Sequence, residues 1–213
     1  MSGCCDPRGC DGFFNARFAG RRAARYRRRG LDRTARRMVE LLVASGIEDA
    51  TVLEIGGGVG EIHLELLRRG AASATALELS PAYDVEAARL LAEACLTDRV
   101  QRRLADIATD PAAAPPADVV VLHRVVCCYP DYARLLGAAA QHARRVLVFS
   151  HPPRNPVSRA VVATQNLVLR LSGRKFRVFV HPPAAMMAVL AEHGLRPVPV
   201  ESGRLWRVAA AAR

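Results

Sequence analysis

The sequence predicts an α/β fold, in which a mostly parallel β-sheet carries helices on both faces behind a helical arm. From about residue 50, short apolar runs alternate with longer amphipathic segments, which is typical of parallel sheets covered by helices. A tight turn joins the last two apolar runs, which indicates an antiparallel strand at one edge. The 213 residues suit one domain with an appendage, and we divide them into an arm over 1–44 and a domain over 45–213.

The arm is predicted to contain two amphipathic helices. Apolar residues recur at three- and four-residue steps from Phe13 to about Arg29, with arginines between them. After Gly30 a second helix is expected over 31–44, and Gly46 closes it.

The domain begins with an apolar strand that leads into a cluster of glycines and a helix, and the same alternation then continues. Strands are expected over 50–55, 74–79, 100–105, 118–122, 145–149, 195–200 and 205–209. Helices are expected over 59–69, 81–94, 131–142, 157–171 and 183–193. The apolar stripe of the fourth of these helices is expected to face either the substrate pocket or the core; it consists of Val161, Leu167, Val168 and Leu171.

Positive charge is concentrated in the arm. The chain has 31 Lys+Arg and 20 Asp+Glu, a net charge of +11, and eleven of the arginines lie within residues 1–37. Residues 38–213 are therefore close to neutral. No apolar run reaches the roughly 18 residues of a membrane span, and the first twelve residues lack the apolar centre of a secretory signal.

The six cysteines are too few and too clustered for a disulfide framework in a chain of this length. Two adjacent pairs, Cys4-Cys5 and Cys127-Cys128, indicate free thiols in a reducing compartment, so we expect a cytoplasmic protein. Cys4, Cys5 and Cys10 lack the spacing of zinc ligands, and no metal is expected.

The most specific signal is the loop E-I-G-G-G-V-G over residues 54–60, which follows a predicted strand and opens a helix. Glu54 lies two residues before the first glycine, where a carboxylate tolerates a cationic amino-acid group better than a pyrophosphate. Glu78 ends the next strand, 18 residues after Gly60, at the spacing of a carboxylate that accepts hydrogen bonds from ribose hydroxyls. A phosphate-binding P-loop is excluded because no Gly-Lys-Ser/Thr follows.

This E-x-G-x-G-x-G pattern, with an acidic residue ending the second strand, resembles the class I S-adenosylmethionine-dependent methyltransferases. The resemblance implies a Rossmann-like sheet of seven strands in the order 3-2-1-4-5-7-6, with S-adenosyl-L-methionine as cofactor. It also implies that Glu78 holds the ribose, that Asp106 reaches the adenine amino group and that three glycines surround the methionine part. The implied cofactor residues are Glu54, Gly56, Gly58, Gly60, Glu78, Leu79, Asp106, Ile107, His123 and Arg124.

Two segments resemble magnesium-protoporphyrin O-methyltransferases in particular, namely the arm and the region of the fourth and fifth strands. The matching residues are Phe13-Phe14-Asn15, Arg21, Tyr26, Gly30, Thr34, Cys128-Tyr129-Pro130 and 148–153. In that family an arm tyrosine and a histidine before the Tyr-Pro pair are implicated in catalysis. Tyr26 matches the tyrosine, whereas Cys128 stands where the family has the histidine.

The resemblance implies methyl transfer to a small molecule, most readily at a carboxylate or hydroxyl oxygen. A carboxylate needs no base at neutral pH, whereas a phenol or amine does. His123 is the candidate base, with Tyr26 and Tyr129 as orienting groups. An alternative is that His123 only bonds a backbone group at the strand end.

Several roles remain open for the arm. It can act as a lid over an anionic or partly hydrophobic substrate, its arginines can simply be solvated, or it can adsorb to an anionic membrane surface. An RNA-binding or RNA-modifying enzyme and a non-catalytic partner subunit are the alternative functions. Nucleic acid is disfavoured because the charge outside the arm is nearly balanced, and the chain is expected to be a monomer or homodimer.

Overall fold

The computed structural model describes residues 9–200, 203 and 206–213, and for residues 10 and 11 it describes the backbone alone. The predicted N-terminal cysteine cluster therefore falls outside the described part, as Cys4, Cys5 and the side chain of Cys10 are not included. Ser202, in the predicted turn before the last strand, is also outside it.

The arm forms a short helix α1 (Cys10–Phe13) and two longer helices, α2 (Ala16–Arg29) and α3 (Arg33–Ala44). Asn15 caps α2 by accepting the Phe18 N–H at 3.1 Å. Gly30, at φ +64°, ends α2, because a residue without Cβ adopts this backbone conformation most easily. Asp32 then caps α3 and accepts the N–H groups of residues 34 and 35, both at 2.9 Å.

The domain consists of a seven-stranded sheet with helices on both faces. The strands are β1 (Thr51–Ile55), β2 (Ser73–Glu78), β3 (Val100–Leu104), β4 (Ala117–Leu122), β5 (Ala143–His151), β6 (Arg196–Val198) and β7 (Arg207–Ala212). The helices are α4 (Glu61–Arg68), α5 (Asp84–Glu93), α6 (Tyr132–His142), α7 (Pro156–Leu171) and α8 (Pro183–Glu192). The strand order is β3-β2-β1-β4-β5-β7-β6, so the predicted fold is confirmed.

The antiparallel part of the sheet lies at the β6 edge. β7 is the second strand from that edge, and it is antiparallel to both of its neighbours, β5 and β6. β5 extends beyond the predicted 145–149 at both ends, because Ala143 pairs with β4 and the pairing with β7 continues as far as His151. The helix predicted over 81–94 begins instead as a 3₁₀ turn, Pro81–Tyr83, before α5.

Buried side chains form one core on each face of the sheet, because successive strand residues point to opposite sides. Val119 and Val121 of β4 pack with α2, α3, α4 and α5, whereas Val120 and Leu122 pack with α6 and α8. Met38 of α3 is fully buried in the first core. The third helix is thus part of the domain's own core, although the sequence assigned it to the arm.

The expectation for the apolar stripe of α7 was wrong. Val161, Leu167, Val168 and Leu171 are between 55% and 79% exposed, and none lines the cavity described below. Leu169 is the buried residue of this helix.

Candidate active site

A cavity opens where β1, β2, β3 and β4 end, at the edge of the sheet where open α/β folds bind ligands. The empty space in it is about 1090 Å³, including open solvent at its mouth. The strand ends and following loops supply most of its lining, and the arm supplies Phe14, Phe18 and Arg22.

The glycine loop forms one wall of the cavity. Gly56 and Gly58 have φ values of +66° and +59°, in the left-handed region that favours glycine. A Cβ on Gly56 would lie 2.5 Å from Val125 Cγ2, so the loop has no room for a side chain there. Residues 56–58 line the cavity, whereas Gly60 does not. Gly60 instead faces the ring of His63, which a Cβ at that position would approach to 2.3 Å.

Glu54 and His63 form a buried pair behind the loop. Glu54 Oε2 lies 2.6 Å from His63 Nδ1 and also accepts the His63 backbone N–H at 3.1 Å. Both side chains are almost fully buried. A Cβ on Gly57 would come within 2.7 Å of the Glu54 carboxyl carbon. Glycines 57 and 60 are therefore required by this pair, and Glu54 supports the loop in addition to lining the cavity.

Glu78 lies at the end of β2 and faces the loop. Its Oε2 accepts the Gly58 N–H at 2.7 Å, and its Oε1 accepts the Leu79 N–H at 2.8 Å. Burial raises the pKa of Glu78 above its ordinary value, although these hydrogen bonds and the charge of Arg102 act in the opposite direction. Each carboxylate oxygen can accept more than one hydrogen bond, so Glu78 retains capacity for a ligand hydroxyl.

Asp106 follows β3 and is oriented by two neighbours. Its Oδ1 accepts the Ala108 N–H at 3.1 Å, and its Oδ2 accepts the Tyr129 hydroxyl at 2.9 Å. Leu79 and the fully buried Ile107 supply apolar lining on either side of the carboxylates. Tyr129 thus orients a predicted cofactor residue, and this geometry does not support the catalytic role expected for it.

His123 lines the cavity, but both of its ring nitrogens face protein groups. Nδ1 lies 3.0 Å from Ser150 Oγ, and Nε2 lies 3.5 Å from Asp32 Oδ2. His123 Nε2 is also buried from solvent. A general base needs a nitrogen directed at the substrate, so the geometry does not support that role for His123. The alternative of a backbone partner was also wrong, because both partners are side chains.

Arg124 joins the same cluster from a left-handed backbone conformation, φ +60°. Its Nη2 lies 2.9 Å from Asp32 Oδ2, and its guanidinium lies 4.9 Å from the centre of the Trp206 ring. Burial lowers the pKa of Arg124, and the charges of Arg22 and Arg25 contribute in the same direction. Of these arginines, Arg22 and Arg124 line the cavity.

The arm is fixed over the cavity by ion pairs with α4 and α5. Arg22 binds Glu61 in a bidentate manner, with N–O distances of 2.5 and 3.1 Å. The carboxylate lies at the beginning of α4, where the helix dipole favours a negative charge. Further along α2, Arg27 pairs with Glu93 at 2.8 Å. Two arm arginines, Arg22 and Arg27, therefore bind the domain and are not simply solvated.

Tyr26 does not reach the cavity. Its hydroxyl donates to Glu65 Oε1 at 2.7 Å and accepts from Arg68 Nη1 at 3.0 Å. Burial and the hydrogen bond to Glu65 raise the pKa of Tyr26 well above its ordinary value. The catalytic role expected for Tyr26 is therefore not supported, and this tyrosine anchors α2 to α4.

Aromatic side chains form another part of the cavity wall. Phe14 and Phe18 of the arm pack edge-to-face at 5.5 Å, and Tyr83 lies 6.3 Å from Phe14. Burial raises the pKa of Tyr83 far above its ordinary value, which keeps its hydroxyl protonated. Cys128 also lines the cavity, with its Sγ 3.6 Å from Cys127 Sγ.

A comparison with models of protein families shows the family to which this chain belongs. A family model described as a methyltransferase domain matches residues 23–200. The chain belongs to the methyltransferase domain family. A search of curated protein sequences found no match.

Solved structures share the fold of this methyltransferase. Magnesium protoporphyrin IX methyltransferase from Synechocystis PCC 6803, with bound SAH, aligns over 95% of this chain and 99% of its own, with a TM-score of 0.73 and 20% identity. An O-methyltransferase family protein from Burkholderia thailandensis aligns over 97% and 63%, with a TM-score of 0.73 and 20% identity. Human N-acetylserotonin methyltransferase, in complex with SAM, aligns over 95% and 56%, with a TM-score of 0.64 and 17% identity.

Three residues in or around the cavity were not predicted from the sequence. Glu61 lines the cavity, whereas Asp32 and His63 lie outside its lining and contact the lining residues His123 and Glu54. Only Asp32 had a local signal, since it lies two residues before Thr34 at a helix start.

Two further searches covered the described residues only. Among them, no cluster of three or more His, Cys, Asp or Glu side chains is arranged to hold a metal ion. No helix within that part of the chain combines the length and the apolar character needed to cross a membrane.

Proposed function

We propose that this methyltransferase binds S-adenosylmethionine in the cavity and transfers its methyl group to an oxygen of a small molecule. The observation that supports this most directly is the convergence of Glu54, Glu78 and Asp106, from three successive strand ends, on one cavity. S-adenosylmethionine carries a sulfonium, an ammonium, ribose hydroxyls and an adenine amino group. An acceptor-rich wall therefore suits its cationic and hydrogen-bond-donating groups.

The residues that would hold the cofactor follow from their positions. Glu78 would accept the ribose hydroxyls, and Asp106, oriented by Tyr129, would accept the adenine amino group. Residues 56–58 would lie against the methionine part, because only glycine allows the backbone to approach a ligand so closely. When bound, the cofactor supplies a methyl group on a positively charged sulfur, which makes that carbon electrophilic.

The chain's own contribution to the reaction would be positioning. Methyl transfer is an in-line displacement, and holding the nucleophile at the right distance and angle provides much of the acceleration. Phe14, Phe18 and Tyr83 would bind an apolar substrate body. With the arm bound over them, these rings would also exclude water from the reacting atoms.

A carboxylate is the acceptor that the geometry favours. His123 has both nitrogens directed at protein groups, Glu61 is bound to Arg22, and Tyr83 is held protonated. A carboxylate is already ionised at neutral pH and needs no base. Arg22 and Arg124 line the cavity, but each is paired with a carboxylate, of Glu61 and Asp32 respectively. The proposal of a carboxylate acceptor therefore rests on its needing no base.

An acceptor screen with radiolabelled S-adenosylmethionine tests this function. Aromatic and alkyl carboxylic acids are offered alongside phenols of matched size, and labelled product is extracted before and after mild alkali. We expect label in the carboxylic acids only and its release by alkali, because methyl esters hydrolyse there and methyl ethers do not. Alkali-stable label in the phenols would replace the carboxylate with a hydroxyl acceptor, and transfer to amines alone would contradict oxygen methylation.

A further inference from the structure

Helix α7 exposes an apolar face to solvent along its whole length. Val157, Val161 and Leu171 are 71%, 60% and 79% exposed. Leu167 and Val168 are more than half exposed as well. Isolated apolar side chains on a surface need no explanation, but a continuous face of large ones usually marks a binding surface.

The spacing of these residues places them on one side of the helix. Val157, Val161 and Val168 follow one another at four- and seven-residue steps, which repeat every one or two turns. The opposite side of α7 holds the helix to the domain. There Leu169 is buried, and the Asn166 side chain bonds both backbone groups of Val178 at 2.7 and 2.9 Å. The exposed face, Val157–Val161–Leu167–Val168–Leu171, is called the α7 face below.

The segment that carries the α7 face is positively charged and has no acidic residue. Residues 132–191 contain no Asp or Glu. Within residues 154–177 there are five arginines and one lysine, and none of these six forms an ion pair with a described carboxylate. Arg159 and Arg170 lie on α7 itself and are exposed.

We propose that the α7 face binds the surface of a bilayer that contains anionic lipids. A helix that exposes an apolar stripe within a cationic segment can bury the stripe at the boundary of headgroups and acyl chains, while the cations of the segment bind the headgroups. A second copy of the same face is a poor partner. Face-to-face pairing would bring the six cations of one chain against the six of the other, and that repulsion opposes association.

The buried side of α7 connects this surface to the cavity. Leu169 packs in one cluster with Phe176, Phe14, Leu79 and Cys128, and the last three of these line the cavity. Membrane binding would therefore place a cavity wall one helix away from the lipid, which suits an apolar substrate. The binding itself does not depend on the proposed methyl transfer and can be measured without it.

Vesicle flotation of the full chain tests the proposal with two matched variants. Val161→Glu places a carboxylate in the α7 face, whereas Val85→Glu makes the same substitution on α5 at a residue 62% exposed. Both change the net charge equally, so they separate a local apolar contact from general electrostatics. Vesicles of phosphatidylcholine with phosphatidylglycerol are compared with vesicles of phosphatidylcholine alone, and thermal unfolding shows that both variants are folded.

The wild type and Val85→Glu are expected to float with the anionic vesicles at low salt and to dissociate as salt rises. Val161→Glu is expected to lower the partition coefficient at least about tenfold. Flotation of Val161→Glu equal to that of Val85→Glu would overturn the proposal, and so would failure of the wild type to bind. Dimerisation that Val161→Glu abolishes, without vesicle binding, would assign the face to a second copy instead.

Discussion

Asp32 and His123, 91 positions apart in the sequence, meet where the arm joins the sheet, with Asp32 Oδ2 3.5 Å from His123 Nε2. The same carboxylate caps α3 through its other oxygen and pairs with Arg124 at 2.9 Å. A single side chain therefore starts a helix and fixes two residues at the end of β4. This arrangement explains why His123 lines the cavity without offering it a nitrogen.

Replacing Asp32 with Asn is expected to lower the free energy of unfolding at neutral pH by about 1–2 kcal/mol. Asn can still cap α3, so the loss reports on the ion pair with Arg124 and the contact with His123. Burial alone would raise the pKa of Asp32, but the hydrogen bond from His123, the Ala35 N–H and nearby positive charge outweigh it and lower the pKa below its ordinary 3.8.

The sign of this shift predicts how the stability difference depends on pH. A folded-state pKa below the unfolded value contributes stability that is complete above the unfolded pKa and is lost as pH falls through the folded one. Urea unfolding of both proteins should therefore show a constant difference down to about pH 5 and a shrinking difference below about pH 4. A difference that is unchanged in acid would contradict the ionised carboxylate.

Replacing His123 with Asn is expected to lower kcat less than tenfold, measured with a substrate that the acceptor screen identifies. Loss of a true general base typically costs about 10²–10⁴ in rate, whereas His123 is bound to Ser150 and Asp32 and acts here as a positioning residue. Single-turnover rates at saturating substrate measure the effect on the chemical step. A decrease of a hundredfold or more would restore His123 as the base.

The two tyrosines are expected to respond differently to replacement by Phe. Tyr129→Phe removes the hydroxyl that orients Asp106 and should weaken binding of S-adenosylhomocysteine about 2–10-fold. Tyr26→Phe should leave that affinity unchanged and lower stability by about 1 kcal/mol, because its hydroxyl bonds Glu65 outside the cavity. Calorimetric titration measures the affinity for S-adenosylhomocysteine, and thermal unfolding measures the stability. A loss of affinity in Tyr26→Phe but not in Tyr129→Phe would place Tyr26 at the site.

The buried Glu54–His63 pair predicts a specific cost for a side chain at Gly60. Gly60→Ala would place a Cβ 2.3 Å from His63 Cε1 at φ +86°, whereas Gly173→Ala, at φ +69°, meets no atom within 4 Å. Both variants incur backbone strain of about 1–2 kcal/mol. Gly60→Ala should lose roughly another 1–3 kcal/mol to the contact with the ring. Equal losses of unfolding free energy in the two variants, measured with denaturant, would show that the Glu54–His63 pair moves to accommodate the Cβ at no cost in stability.

Local patterns at strand ends made part of the site predictable. Glu54, the glycines, Glu78 and Asp106 each follow an apolar strand within a few residues, and parallel strands bring their ends to one edge. The sheet order came from the same pattern through its resemblance to a known family. These features depend on residues that are close together in the sequence.

The remainder of the site depends on how the arm packs, which local pattern does not encode. Arg22 and Glu61 are 39 residues apart, as are Tyr26 and Glu65. The sequence placed Tyr26 at the substrate because its family counterpart is catalytic, yet the rotation of α2 directs it toward α4. Likewise, the position of His123 at a strand end was predictable, but the partners of its nitrogens were not. The stripe of α7 was expected to face the substrate pocket or the core, because periodicity does not reveal whether the apolar side of a helix is covered.

Isothermal titration of the purified protein with S-adenosylhomocysteine tests the central proposal most directly, with Glu78→Gln and the exposed-site control Glu192→Gln measured in parallel. The structure predicts micromolar binding by the wild type and by Glu192→Gln. It predicts at least a tenfold weaker affinity for Glu78→Gln, about 1.4 kcal/mol, since the amide keeps the shape but presents one acceptor fewer. Absence of binding at millimolar ligand, or equal affinity in all three proteins, would contradict a cofactor site built on the glycine loop and Glu78.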